Sequence, residues 1–225
     1  MKRFTFSALI LSSFCLCLLI ASPSYALVLD FEGLGDQETI LDFYNGGTGS
    51  QGNFGTNYGV TFSGNALSII DSDAGGSGNF GNEPSPSTVL FFLEGQAAIM
   101  SLAAGFETGF SFFYSAISNP GSVSVWSGLN GTGDLLASLL LPTTPQGAGD
   151  PTGAFSPFVS LGVGFDGLAH SVSFAGVQNQ IGFDDVTFGS VTPGPSAIPE
   201  PSTFLLLAAG LAGVAGFRMR KRNAA

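Results

Sequence analysis

No long helical period appears in this chain before residue 202. Short apolar or alternating runs are instead cut apart by Gly, Asn, Ser and Pro, and 33 of the 225 residues are glycine. Alternation of period two between turn-forming residues specifies strands. The pattern predicts an all-β domain with strands at 27–31, 59–62, 66–70, 88–93, 97–102, 109–115, 122–126, 135–141, 158–163, 171–175 and 181–188, a spacing that fits a two-sheet β-sandwich. Val123 and Val125 alternate with serines; Phe110, Phe112 and Tyr114 share one face, and Phe113 points the other way. Leu90-Phe91-Phe92-Leu93 breaks the alternation, as a central strand covered on both faces does. Residues 36–44 read either as a short helix or as an irregular excursion, stopped by Asn45-Gly46-Gly47.

The longest irregular stretches, 46–57, 72–87 and 142–157, hold almost no apolar residues beyond Phe54, Phe80 and Phe155. They are expected as surface loops at the ends of the sandwich, and any binding site is expected to draw on them.

Lysine and arginine are missing from residues 4–217: the six basic side chains (Lys2, Arg3, Arg218, Arg220, Lys221, Arg222) sit at the two ends, and all 16 acids lie between them. Such a domain has no ordinary ion pairs and meets its own repulsion by spacing, screening or bound cations. Nucleic acid is excluded as a partner, because neutralising phosphates takes Lys or Arg. Anionic membranes and acidic polysaccharides are poor direct partners unless a divalent cation bridges them.

The ends read as addresses. Lys2 and Arg3, an apolar run over 4–20 and Ser24-Tyr25-Ala26 predict a signal peptide, 1–26, cut after Ala26; the alternative, one uncleaved anchor, is opposed by the helix-breaking Ser22-Pro23-Ser24. Cys15 and Cys17, the only cysteines, leave with it, so the mature domain (27–191) has no disulfide and relies on a packed core or on bound metal. After a Pro-Gly-Ser linker at 192–198, Pro199-Glu200-Pro201 forms a rigid extended turn. An apolar run over 202–217 follows, then the basic tail Arg218, Arg220, Lys221 and Arg222, which favours the cytoplasmic face. As a transmembrane helix that run is ~24 Å long, short of the ~30 Å hydrocarbon core, which suits a transient anchor in the inner membrane.

In this order, motif, apolar run and basic tail (199–225) resemble the PEP-CTERM sorting signal of Gram-negative bacteria. The resemblance implies processing by the membrane protease-transpeptidase exosortase, after signal peptidase, and delivery to the cell surface or the extracellular polysaccharide matrix. A wider similarity to PEP-CTERM cargo proteins runs through Leu29-Asp30-Phe31-Glu32-Gly33-Leu34, through Tyr58-Gly59-Val60-Thr61-Phe62-Ser63-Gly64-Asn65-Ala66 and through Asp184-Asp185-Val186. It implies no catalytic residue.

Chemistry is sparse. Two G-x-G-x-x-G matches, at 47–52 and 162–167, open no predicted helix and so do not read as nucleotide sites. His170, the only histidine, has no G-x-S-x-G elbow to partner it. Carboxylate-dependent glycoside hydrolysis is the alternative enzymatic reading, with no acid pair assignable. Structural calcium has two candidate sites: Asp71 and Asp73, which lack the rest of an EF-hand, and Asp30 and Glu32 of the first strand beside Asp184 and Asp185 of the last. Residues 181–188 also resemble the closing strand of carbohydrate-binding jelly-rolls, in which a corresponding Asp helps hold a calcium; that resemblance implies a jelly-roll type of sandwich. Trp126, at a strand end beside a loop, is the candidate sugar platform, with burial in the core as its ordinary alternative. The sequence thus predicts an exported binding or structural module.

Overall fold

The structure, a computed structural model, describes residues 26–116, 118–144, 155 and 157–194. The expected signal peptide, the C-terminal apolar run, Pro199-Glu200-Pro201 and the basic tail lie outside the described residues. Among those described, no helix is long and apolar enough to cross a membrane.

Among the described residues nine strands form: β1 (Leu27–Leu29), β2 (Val60–Phe62), β3 (Leu67–Ile70), β4 (Thr88–Phe91), β5 (Ala97–Ser115), β6 (Gly121–Trp126), β7 (Leu135–Leu141), β8 (Val159–Ala175) and β9 (Gly182–Phe188). The helices among the described residues are two 3₁₀ turns, Ser72–Ala74 and Leu129–Gly131, so residues 36–44 take the irregular form. Eleven expected runs become nine strands because the Gly-containing stretches after 102 and after 163 continue as strand. Phe106 pairs with Ala169 and Thr108 with Phe165, with register shifts on either side of Phe106. Gly105 supplies a positive φ of 73° there, a backbone kink open to glycine at no steric cost.

Where two sheets are expected, hydrogen bonding makes one antiparallel sheet, ordered β3-β4-β9-β5-β8-β6-β7, with β1 added on β9 and β2 on β5. The reason lies in β5 and β8, which run through both halves. Residues 97–101 of β5 pair with 171–175 of β8, and residues 106–114 pair with 159–169. The sheet folds over on itself. Phe110 pairs with Val163, and a straight strand would carry Phe174 about 36 Å beyond Val163. Yet the Phe110 and Phe174 rings lie 6.1 Å apart, and Phe174 and Phe183 lie 4.9 Å apart. The inner faces of the two halves therefore share one core, in which Val123 and Val125 meet Phe110, Phe112, Tyr114, Phe183, Val186 and Phe188.

The expected facing holds in β5 and in most of the 90–93 run, but Leu93, expected to be covered, is exposed and lies past the end of β4. Phe113 turns to the opposite face from Phe112 and joins a second, smaller cluster with Phe80, Val89 and Phe158. β4 is buried along its whole length, Leu90 facing the main core and Val89 the smaller cluster. The first and last strands are neighbours: Leu27, Val28 and Leu29 pair with Phe188, Thr187 and Val186.

β9 carries a bulge. Ser111 pairs with Thr187 and Phe113 with Asp184, leaving one extra residue in β9. Without it Phe183 and Val186, three apart, would face opposite ways; with it both reach the core. Asp185 has a φ of 46°, a region that Asp enters more readily than most residues.

Candidate functional site

Over the outer face of β3, β4 and β9 lie Phe80 and Phe155, the isolated phenylalanines of the stretches 72–87 and 142–157, of which the second is described at 142–144, 155 and 157. Phe80 and Phe155 form a β-bridge; Phe155 N–H donates to the Asn79 carbonyl at 3.0 Å and Gly81 N–H to the Phe155 carbonyl at 3.3 Å. Phe80 meets Phe158 edge-on at 6.1 Å. The few phenylalanines of these loops are their anchors, because burying each ring removes a large apolar area from water.

Beside the anchors lies a half-open groove of about 300 Å³ with an apolar floor of Ile69, Phe80, Val89, Phe91, Phe155 and Phe158. Ser77, Asn79, Asn179 and Gln180 supply its polar rim, and among the described residues no ionisable side chain lines it. The Gln180 Oε1 accepts from Asn119 Nδ2 at 3.2 Å, and its Nε2 donates to the Asn179 carbonyl at 2.8 Å. Asn179 is held by its own N–H on the Phe92 carbonyl at 2.9 Å, with a φ of 57° that suits Asn. Gly182 lies at the base: a Cβ there would already touch Val89 and Phe158 at 3.4 and 3.5 Å, so a longer side chain would fill the groove.

On the same face Asp184 is fully buried. Its carboxylate accepts from Ser85 N–H at 2.9 Å, from Ser85 Oγ at 2.8 Å and from Asp185 N–H at 2.7 Å. Burial pushes its pKa up to about 7 against the pull of the Ser85 bonds, and the Asp185 charge adds to the rise. Asp185 is itself raised, by burial first and then by Asp30. Tyr44, whose hydroxyl accepts from Phe31 N–H at 2.8 Å, is raised well above its usual value by burial and by Asp30. The structure thus brings Asp30, Asp184 and Asp185 into one electrostatic neighbourhood, as the pairing of first and last strands implies. Glu32 turns aside to accept from Ser87 and Thr88 N–H at 3.0 and 2.8 Å.

Asp71 and Asp73 line, with Asn82, Glu83 and Ser85, an open hollow of about 530 Å³, which Ser85 links to that neighbourhood through its bonds to Asp184 and to the Asp30 carbonyl. The oxygens at both places are of the type a hard cation takes. Among the described residues, however, no three acidic, His or Cys side chains are gathered closely enough to hold a metal.

Trp126 lies outside the groove. It is half-buried on the outer face of the other half of the sheet, where its Nε1–H donates to Ser173 Oγ at 3.1 Å. His170 Nδ1 donates to the Ser127 carbonyl at 2.7 Å, tying β8 to the loop after β6.

Sequence reasoning missed the groove residues Phe158, Asn179 and Gln180; the signal available was the isolated Phe80 and Phe155 in otherwise polar loops. It also missed Glu38, which is fully buried and gathers the 35–53 excursion by accepting from Gly35 N–H at 2.6 Å, Gln51 N–H at 2.9 Å and Asn53 Nδ2 at 2.7 Å. Burial raises its pKa, but these donors outweigh it and the net displacement is downward.

In fold the chain is similar to the K2 cleaved adhesin domain of Lys-gingipain (Kgp), with 12% identity and a TM-score of 0.44 over 73% of this chain and 99% of that one. It is also similar to the K3 cleaved adhesin domain of Lys-gingipain from Porphyromonas gingivalis w83, with 14% identity and a TM-score of 0.32 over 73% and 91%. Likeness at this level carries no argument about activity. No curated protein matches the chain. Residues 197–221 match the PEP-CTERM protein-sorting motif, so the polypeptide carries the signal of a protein exported and sorted to the cell surface by exosortase-type machinery.

Proposed function

We propose that this is an exported surface or matrix protein whose folded domain, a jelly-roll type of sandwich, binds uncharged polysaccharide through the groove between Phe80, Phe158 and Gln180. The observation that carries the reading is the groove's lining: phenylalanines below, carboxamides and a hydroxyl above, and no charge among the described residues. A pyranose ring has the matching character, with C–H faces for aromatic contact and hydroxyls for amides, and the volume falls at the small end of ligand sites. The absence of Lys and Arg from residues 4–217 supports a neutral glycan over an acidic one.

The protein acts by binding and not by catalysis in this proposal. Glycoside hydrolysis takes two facing carboxylates, and the described residues of the groove's lining supply none. A structural calcium near Asp30, Asp184 and Asp185, completed by backbone carbonyls because these carboxylates are not gathered to hold one alone, is a second element of the proposal, supported by their mutual repulsion.

A glycan array of the exported protein, with and without calcium, tests the whole. Binding to neutral glycans that Phe80→Ala removes is the expected result; new reducing ends from the same glycans would replace the binding reading with the enzymatic one.

A further inference from the structure

The amide-rimmed groove is open at its base because Gly182 has no side chain. The backbone there has no positive φ, so what glycine supplies is the missing side chain and not a turn. A Cβ on Gly182 would meet Val89 Cγ2 at 3.4 Å and Phe158 Cζ and Cε1 at 3.5 and 3.7 Å. These nearest neighbours are all carbon, so the floor dips at Gly182 between hydrocarbon walls. A methyl group suits such a dip; a hydroxyl placed there would give up its water and find no partner.

The rim above the dip keeps donors in place. Gln180 accepts from Asn119 and gives one amide hydrogen to the Asn179 carbonyl, which leaves its carboxamide a second hydrogen and a second lone pair. Ser77 Oγ accepts from Gln37 Nε2 at 2.8 Å and retains its own O–H as a donor. Both groups are positioned by bonds within the protein, so they lose little further freedom when a ligand arrives. Gln180 and Gly182 are two residues apart, at most about 7 Å of chain, so one small substituent can meet the amide and the dip together. A cationic substituent has no counter-charge, since among the described residues no ionisable side chain lines the groove and an unpaired charge is costly to bury.

We infer that the groove recognises N-acetylated hexosamine units, with the acetamido methyl over Gly182 between Val89 and Phe158 and the acetamido carbonyl on the Gln180 amide. The inference rests on the proposed glycan-binding role of this groove and names the sugar class. Other neutral or basic sugars match less of the lining. A plain hexose brings only hydroxyls to the dip, a 6-deoxyhexose brings a methyl without an amide, and a free hexosamine brings an ammonium group. The acetamido group alone joins a methyl to an amide in one planar unit and carries no charge.

Titration calorimetry of the exported protein tests this with soluble trimers of β-1,4-linked N-acetylglucosamine, of the same sugar without its acetyl groups, and of glucose (cellotriose). The N-acetylated trimer is expected to bind about tenfold tighter than either of the others, from one buried methyl and one net hydrogen bond. Gly182→Ala, whose methyl takes the dip at ordinary contact distances, should bring that trimer to the cellotriose level with the melting temperature unchanged. Equal binding of the N-acetylated trimer and cellotriose, tighter binding of the deacetylated trimer, or a preference that survives Gly182→Ala would overturn the proposal. Should the variant fail to fold, saturation-transfer NMR on the parent protein decides: the acetamido methyl should receive the strongest saturation, and stronger transfer to the ring C–H protons would overturn it. Binding of cellotriose alone would leave the glycan reading standing and this inference fallen, whereas an array on which no neutral glycan binds would remove both.

Discussion

The two outer faces of the folded sheet are made from the same strands and finished differently. Over β6 and the end of β8 the face carries small hydroxyls, Ser122, Ser124 and Ser173, with Trp126 laid across them. Over β3, β4 and β9 it is buried beneath loops that enclose a second apolar cluster, the amide-rimmed groove and the Asp184 carboxylate. Both faces alternate correctly against the core, so alternation alone does not distinguish them. What separates them is a few loop side chains, Phe80, Phe155 and Ser85, that find partners on one face.

The largest expected effect that tests this contrast is the pH dependence of the covered face. Asp184 has its folded pKa raised from 3.8 to about 7. The folded state therefore holds that proton more tightly, and the stability it contributes is complete below about pH 4 and lost as pH rises through 7, on the order of 4 kcal/mol for a shift of this size. Asp185 acts in the same direction, while Glu38, displaced downward, loses its contribution as pH falls. Denaturant melts at pH 5 and pH 8 should show the domain weaker at pH 8 without divalent cation. Asp184→Asn should flatten the difference, and added calcium should restore stability at pH 8 if the cation element is correct.

Next in size, Phe158→Ala should cost about 3 kcal/mol, since the ring is buried in the smaller cluster and its loss leaves a cavity; chemical denaturation measures it. Gln180→Ala should weaken glycan binding by about tenfold, or ~1.4 kcal/mol, with little change in melting temperature, because the side chain lies at the rim. Smallest of all, Trp126→Ala should leave binding within about twofold of the parent. A large loss from Trp126→Ala, with Gln180→Ala silent, would transfer the site to the hydroxyl face and reverse the comparison.

Much of the fold was legible because facing in a strand is a local property. Phe110, Phe112 and Tyr114 on one side and Phe113 on the other follow from the pleat alone, and the structure places them so. Strand ends were less legible. The stretches after 102 and after 163 read as breaks because glycine weakens local strand preference, yet pairing between β5 and β8 carried them through. The groove was harder still: Phe80 and Phe158 are far apart in sequence and meet at 6.1 Å only through tertiary packing on one face.

The sequence by itself determined the strand chemistry, the absence of ion pairs and disulfides from the domain's design, and the sorting signal, because each depends on which residues stand near one another along the chain. Only the tertiary structure decided that two layers are one folded sheet, that Asp184 is buried beside Ser85, and that Gly182 lies at the base of a groove. Those outcomes depend on contacts between distant segments, where a side chain's burial, or the lack of a side chain at Gly182, has no local signature.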